Sequence, residues 1–259
     1  MNNNYILNFI TQEDFEKNVR NTLKQYNKTL KAINLTKFNS NLIDPIKLLF
    51  DKNVFDKDFE EIIKFEIHRQ KDKSNSNIIG YFHQNIFKYI KNCIVPNEGW
   101  DVIFYSNNNI NYYVEIKNKH NTMNSSSSAK TYMRMQNHLL NADDKEKSIC
   151  ALVEIIAKCS QNIPWVITLD KEKQKENEQI RRISIDKFYG IVTGDNNAFN
   201  LICKQLPVTI EKIIEKDKSL KIDKDTVFEE LQEKDNDILT ALYKLAFSSY
   251  EGFDFKNNK

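Results

Sequence analysis

The sequence predicts an α/β fold in which a mixed central β-sheet is flanked by helices, with helical additions at the N- and C-terminal ends. Three observations support this prediction. Apolar residues recur at three- and four-residue steps in both outer thirds of the chain, which is typical of amphipathic helices. Two strand-like segments separated by asparagines in the middle predict a β-hairpin. A long apolar run after the hairpin predicts a buried central strand, as α/β proteins have.

The N-terminal region, residues 1–76, is predicted to be helical. Asp44 precedes Pro45, and this pair predicts a capped helix start, because the carboxylate accepts backbone N–H groups and proline fits the first turn. The polar stretches 34–41 and 71–77 predict a loop and a linker. The helical patterns of this region cover 12–33, 45–50 and 59–69, and a further helix is predicted after the linker, at 78–90.

The remainder of the chain alternates between strands and helices. The charged residues 170–179 predict an exposed loop or helix tip, and 188–193 is compatible with helix or strand. We expect a sheet core over 77–216 and a C-terminal helical segment over 217–259, in one compact domain overall. Strands are predicted at 100–105, 112–117, 148–157, 164–169 and 182–185. The further helices are predicted at 129–140, at 199–215 with a bend at Pro207, and at 227–250.

Composition excludes several classes of protein. No apolar run approaches the roughly 20 residues that a membrane-spanning helix needs, and the first residues lack the pattern of a signal peptide. The 4 cysteines are widely spaced without a CxxC pair. This spacing argues against a disulfide framework or a zinc site and favours a reducing cytoplasm.

Charge is distributed unevenly although the net charge is only +2. From Ile116 to Ala142 the chain contains no Asp or Glu, whereas acidic residues are frequent in the C-terminal third. A protein that binds a polyanion on one face is expected to separate its charges in this way. An ordinary solvated loop and helix would give the same pattern, and charge alone does not decide between the two.

The segment that carries chemistry is the predicted hairpin. Glu115 and Lys117 are two residues apart on one strand, so their side chains leave the same face, and Asp101 lies on the partner strand. Two carboxylates and the Ile116 carbonyl would supply the oxygen ligands that Mg²⁺ prefers. Lys117 could then orient or deprotonate a water molecule, or neutralise charge on a phosphate. Alternatively, the hairpin simply exposes three charged residues to solvent, since this pattern by itself is weak.

This constellation resembles the PD-(D/E)XK nuclease superfamily. Asp101 matches the first motif carboxylate, and Glu115-Ile116-Lys117 matches the second half, although Trp100 stands where proline is usual. Three strings, 80–84, 117–127 and 188–195, resemble the type II restriction endonucleases that cut GGNCC-type sites. The resemblance extends from about Asn77 to Tyr250. It implies a PD-(D/E)XK core and Mg²⁺-dependent hydrolysis of phosphodiester bonds in duplex DNA.

The resemblance also implies partners. A palindromic site has two-fold symmetry, so we expect a homodimer with one active site for each strand. The cognate methyltransferase of the restriction–modification system would act on the same site rather than bind this protein. Two other functions remain open: a repair or recombination nuclease without strict specificity, and a non-catalytic DNA-binding protein. No membrane partner is expected.

Polar and basic residues after the catalytic strand are the candidates for DNA contact, because such side chains bind phosphates and base edges. Arg pairs well with guanine and Gln with adenine. The expected contacts are Asn118, Lys119, His120, Asn121, Asn124, Lys130, Arg134 and Gln136. The upstream helices offer possible accessory residues, namely Glu66, His83 and Gln84, although a solvated or core position is the more frequent outcome for such residues.

Overall fold

The computed structural model describes residues 5–30, 33–169, 171–217 and 225–248. The chain divides into two compact units. The first consists of the described parts of Met1–Lys24 and Ser76–Lys218, and the second of those of Gln25–Asn75 and Ser219–Lys259. Within the described ranges, no helix is long and apolar enough to cross a membrane.

The first unit is built on a mixed sheet. In chain order the strands of the described chain are β1 (Cys93–Ile94), β2 (Val102–Tyr105), β3 (Asn111–Lys119), β4 (Ser148–Ile156), β5 (Asn162–Pro164), β6 (Thr168–Leu169), β7 (Glu172–Lys173) and β8 (Ile180–Ser184). The strand order in the sheet is β1-β2-β3-β4-β8-β5. Neighbours β1, β2 and β3 are antiparallel, β3, β4 and β8 are parallel, and β5 runs antiparallel to β8. A separate pair is formed by β6 and β7.

The helices of the described chain are α1 (Gln12–Leu30), α2 (Leu35–Phe38), α3 (Pro45–Val54), α4 (Phe59–Ile86), α5 (Ser125–Asn141), α6 (Ile185–Thr193), α7 (Ala198–Lys216), α8 (Val227–Lys234) and α9 (Ile238–Phe247). Short 3₁₀ turns follow α2, follow α4 and precede β4. Helix starts follow local chemistry: the side chains of Asn34, Asp44, Asn124 and Asp237 each accept a backbone N–H three residues further on.

The sheet of the first unit buries apolar side chains on both faces, as its parallel strands require. On one face, Val114 and Val153 pack with the aromatic rings of Phe87, Phe188 and Tyr189. The opposite face packs under α5 through Leu152, Tyr132, Met135 and Trp165. The second unit has its own core, which joins α2, α3, the first part of α4, α8 and α9.

The mixed α/β architecture and most elements confirm the sequence prediction. The first helix, the Asp44-capped helix, the hairpin and the buried strand at 148–157 all form. The ambiguous segment 188–193 is helical, and Pro207 lies within α7. The described part of 170–179 includes the short β7, whereas Asp170 and the end of the predicted last helix at Tyr250 lie outside the described residues.

Four local predictions are wrong. The expected linker 71–77 is part of α4, because it contains neither Gly nor Pro and its polar side chains suit an exposed helix face. The expected loop 34–41 contains α2, which buries Leu35 and Phe38.

The other two concern strand and helix ends. The predicted strand at 164–169 is interrupted, because Trp165 turns inward to pack on Tyr132 and proline restricts strand pairing at the sheet edge. The predicted helix at 227–250 is broken at Asp235, and Asp237 caps a new one. The division of the chain into an N-terminal region, a sheet core and a C-terminal segment, with boundaries at 76 and 216, stays a prediction.

Candidate active site

Asp101 continues the ladder between β2 and β3 with its side chain. Val102, the first residue of β2, pairs with Val114 of β3, and the preceding Asp101 N–H still donates to the Val114 carbonyl at 2.9 Å. At the next position, the Asp101 Oδ2 atom accepts the Ile116 N–H at 2.7 Å. The carboxylate is therefore fixed just before the start of β2, and its other oxygen accepts no hydrogen bond from the described residues.

Glu115 and Lys117 lie on one face of β3, as strand geometry requires. Lys117 Nζ donates to Glu115 Oε1 at 2.7 Å, and Arg134 of α5 donates to Glu115 Oε2 at 2.5 Å. The Glu115 side chain is 14% exposed and that of Lys117 is 30% exposed. Both oxygens of a mostly buried carboxylate are thus paired with cations.

Asp101, Glu115 and Lys117 line a single open cleft of about 610 Å³. The α4 residues Tyr81 and Gln84 form part of its wall, and the Gln84 Nε2 atom donates to the Asp101 carbonyl at 3.2 Å. A polar cleft open to solvent fits an extended polar ligand better than a small apolar one.

The pKa values of the two carboxyl groups are shifted in opposite directions. Burial raises the pKa of Asp101, the Ile116 N–H opposes this, and the charge of Glu115 raises it further. Burial also raises the pKa of Glu115, but the hydrogen bonds and charges of Lys117 and Arg134 outweigh it, so the pKa lies below its ordinary value. Glu115 is therefore ionised at neutral pH, and a nearby cation would favour ionisation of Asp101.

Comparison with known proteins gives this cleft a context. The profile described as "Eco47II restriction endonuclease" matches residues 7–215 of the chain. The chain belongs to this family. It is 29% identical over 241 residues to the type II restriction enzyme Sau96I of Staphylococcus aureus, covering 90% of each chain. It is also 29% identical over 220 residues to the type II restriction enzyme Eco47II of Escherichia coli, covering 81% of this chain and 88% of that enzyme.

The protein is accordingly a type II restriction endonuclease, and such enzymes act on double-stranded DNA with a divalent metal ion. The donor set of the cleft fits such an ion, because Asp101 and Glu115 supply hard carboxylate oxygens and the charge of Glu115 raises the pKa of Asp101, which a bound cation would offset. The described residues contain no cluster of three or more His, Cys, Asp or Glu that could hold a metal ion, so this pair of carboxylates is the candidate site. Two carboxylates without His or Cys suit Mg²⁺-like ions rather than zinc.

Some of the residues expected to contact DNA lie at the cleft. Asn118 and Lys119 line it, and the Asn118 Nδ2 atom donates to the Ser76 carbonyl at 3.3 Å. Lys130 is exposed on α5. Asn124 has a structural task, since its side chain accepts the Ser127 N–H at 2.8 Å.

The remaining expected contacts lie in other surroundings. His120 Nδ1 lies 3.1 Å from Glu154 Oε1. Asn121 adopts a left-handed backbone with φ of 60°. Arg134 is paired with Glu115, and Gln136 lines a separate pocket beside residues 172–178.

Of the possible accessory residues, Gln84 belongs to the cleft wall. His83 is buried against Phe199, and burial lowers its pKa to about 4, so it is a neutral core residue. Glu66 belongs to the second unit, where it pairs with Arg69 and accepts a hydrogen bond from Gln70.

Two groups of the site escaped the sequence analysis. The buried Glu154 forms an ion pair with the half-buried Arg182 beside Lys117, whose register partner on β4 is Glu154. Trp100, noted in the sequence only as a departure from the motif, lies under the Arg134 guanidinium. Acidic and basic residues inside otherwise apolar strands were the available signal for Glu154 and Arg182, but their pairing depends on the sheet register.

Proposed function

We propose that this restriction endonuclease hydrolyses phosphodiester bonds of duplex DNA at a short palindromic site of the GGNCC type, in a reaction that requires Mg²⁺. The observation that carries the proposal is the gathering of Asp101, Glu115 and Lys117 in one cleft at the start of β2 and the middle of β3. Two carboxylates and a lysine on adjacent strands of a mixed sheet match the PD-(D/E)XK arrangement, and we assign the first unit to that fold.

Asp101, Glu115 and the Ile116 carbonyl would hold the ion. The N–H and C=O of one strand residue point to the same side. Since the Ile116 N–H is directed at Asp101, its carbonyl faces the same edge of β3. When bound, Mg²⁺ supplies positive charge that stabilises the phosphate in the transition state.

Lys117 is the proposed catalytic cation. Its ammonium group lies beside Glu115 and within the cleft, where a phosphate bound to the ion would arrive. It can orient the attacking water or neutralise developing charge on the phosphate, and both roles require a cation at this position. Gln84 would position Asp101, because its side-chain amide donates a hydrogen bond to the backbone carbonyl of Asp101.

We propose that DNA follows the acid-free segment after β3. Asn118 and Lys119 line the cleft, and Asn121 and Lys130 present polar side chains on the exposed surface nearby in the chain. We assign backbone contacts to the lysines, because exposed cations bind phosphates without regard to sequence. His120, Asn124 and Gln136 remain candidates for contact with bases or backbone.

The symmetry of a palindromic target supports a homodimer. Each chain contributes one cleft, whereas the two DNA strands present two equivalent scissile bonds. Two copies related by a two-fold axis would cut both strands in one encounter.

The test is digestion of a plasmid with and without Mg²⁺, followed by sequencing of the ends. Discrete fragments with common ends are expected, and only with the ion. A smear would favour a nuclease without strict specificity, and no cleavage at all would favour a non-catalytic DNA-binding protein.

Isosteric variants connect the activity to the cleft. Asp101→Asn and Glu115→Gln should abolish cleavage, while specific DNA binding in Ca²⁺ survives, because the carboxylates hold the ion and other residues hold the DNA. Glu146→Gln, at an exposed position before β4, is the matched control and should cut normally. Normal cleavage by either active-site variant would refute the assignment of the cleft.

A further inference from the structure

Arg134 has a defined place that its position on a basic helix did not predict. Its guanidinium carbon lies 4.4 Å from the centroid of the Trp100 ring. One guanidinium nitrogen donates to Glu115 Oε2 at 2.5 Å and the other contacts the Gly99 carbonyl at 3.4 Å. A cation above an indole ring is attracted by the electrons of the ring face. Trp100 therefore holds Arg134 beside Glu115.

The Trp100 ring is itself held in place. It packs against Tyr113 and His138, with ring centroids 5.7 Å and 5.4 Å away. The Tyr113 hydroxyl is anchored in turn, because it donates to Asp144 Oδ2 at 2.7 Å. The platform under Arg134 thus depends on packing within the first unit and not on Glu115.

This arrangement puts Arg134 in competition with a cation. Glu115 Oε1 is occupied by Lys117 and Oε2 by Arg134. Each oxygen keeps a further lone pair for a metal ion, but a divalent ion that takes Glu115 as a ligand is repelled by the two cations already beside it, and Arg134 is the one that is also held elsewhere. Arg134 keeps its contacts with Trp100 and Gly99 when it loses Glu115, so it can stay at the cleft with unused N–H donors.

We propose that Arg134, carried by Trp100, is an additional phosphate-binding residue of the active site and shares Glu115 with the divalent ion. The inference rests on the proposed function of Glu115. Its ligand is a phosphate of the DNA backbone, which the planar guanidinium binds through two parallel hydrogen bonds. Arg134 is therefore assigned to the backbone at the active site and not to the reading of guanine. Trp100 is a positioning residue, which accounts for an aromatic residue directly before Asp101.

The proposal predicts effects of opposite sign in one variant. Arg134→Met removes the competitor for Glu115, so Ca²⁺ should bind the free enzyme severalfold more tightly. The same change removes a phosphate ligand, so the affinity for a duplex containing the cognate site should fall by about tenfold or more in Ca²⁺. A purely structural role for Arg134 would weaken both interactions together.

Calorimetric titration of the full-length enzyme with Ca²⁺ gives the first quantity, and fluorescence anisotropy of a labelled duplex in Ca²⁺ gives the second. Lys187→Met, which removes an exposed cation from α6, is the matched control and should change neither. Trp100→Phe should keep most of the DNA affinity because it keeps an aromatic face. Trp100→Leu should lose affinity for DNA with Arg134 still present.

Weaker Ca²⁺ binding by Arg134→Met, or unchanged DNA affinity, would overturn the proposal. If Arg134→Met does not fold, the two Trp100 variants decide the proposal: equal DNA affinity of Trp100→Phe and Trp100→Leu would also overturn it. Glu115→Gln separates this inference from the proposed function. If Glu115→Gln leaves Ca²⁺ affinity unchanged, the proposed function itself fails. If Glu115→Gln weakens Ca²⁺ binding but Arg134→Met does not strengthen it, only the role of Arg134 fails.

Discussion

Replacing Glu154 by glutamine removes a charge that is almost completely buried. The Glu154 side chain is 2% exposed, and Arg182 donates to both of its oxygens, with the Nε atom 3.0 Å from Oε2. His120 Nδ1 lies 3.1 Å from Oε1. In Glu154→Gln, one amide oxygen still accepts a hydrogen bond, but Arg182 loses its counter-charge.

The expected cost follows from this geometry. Removing one partner of a buried ion pair typically destabilises a protein by about 3–5 kcal/mol. The partners Arg182 and His120 are 22% and 17% exposed, so water solvates them in part. The amide oxygen also keeps one of the two hydrogen bonds from Arg182. We therefore expect Glu154→Gln to lower the free energy of unfolding by about 2–4 kcal/mol at pH 7.

The effect should depend on pH in a defined direction. Burial raises the pKa of Glu154, but the hydrogen bonds and charges of Arg182 and His120 outweigh it, so the folded pKa lies below the ordinary value. A carboxyl group with a lowered folded pKa contributes stability above its unfolded pKa and loses that contribution as the pH falls through the folded pKa. The difference between wild type and Glu154→Gln should therefore shrink as the pH is lowered from 7 towards and below 4.

Urea unfolding, followed by tryptophan fluorescence from Trp100 and from Trp165 beside this ion pair, measures the difference. The control is Glu178→Gln, whose side chain is 77% exposed and pairs with Arg181. It should change stability by less than about 1 kcal/mol. A loss below 1 kcal/mol in Glu154→Gln, or a difference that does not change with pH, would refute the reasoning.

Three further predictions concern the cleft and its flanking segment. Lys117→Met should lower the single-turnover cleavage rate about a hundredfold or more with little effect on DNA affinity, because the cation acts on the transition state; a rate within a few-fold of wild type would contradict this. Lys119→Ala and Lys130→Ala should weaken binding to all DNA sequences alike and reduce the salt slope by about one unit each, measured by anisotropy at several salt concentrations. Asn124→Ala should lower the free energy of unfolding by about 1 kcal/mol, because it removes the N-cap of α5, whereas Asn124→Asp should keep it.

Local features of the sequence predicted the elements that depend on local chemistry. The helix after Asp44 and the hairpin around Ser106–Asn109 follow from capping and turn residues that are neighbours in the chain. The segment 71–77 was misjudged because polar composition resembles that of a linker, whereas an exposed helix face has the same composition. The ambiguity at 188–193 is of the same kind, since a short apolar run suits a buried helix or a buried strand.

The sequence by itself determined that Asp101, Glu115 and Lys117 would lie close together, because the two strands of a hairpin are neighbours both in the chain and in space. Their catalytic roles remain proposals. Only the tertiary structure decided which charges surround them. Glu154 lies beside Lys117 because β4 pairs with β3 in one particular register, and Arg134 meets Glu115 because α5 packs across the sheet beside Trp100. Register and helix packing are fixed by many distant apolar contacts together, so no single stretch of the sequence contains them.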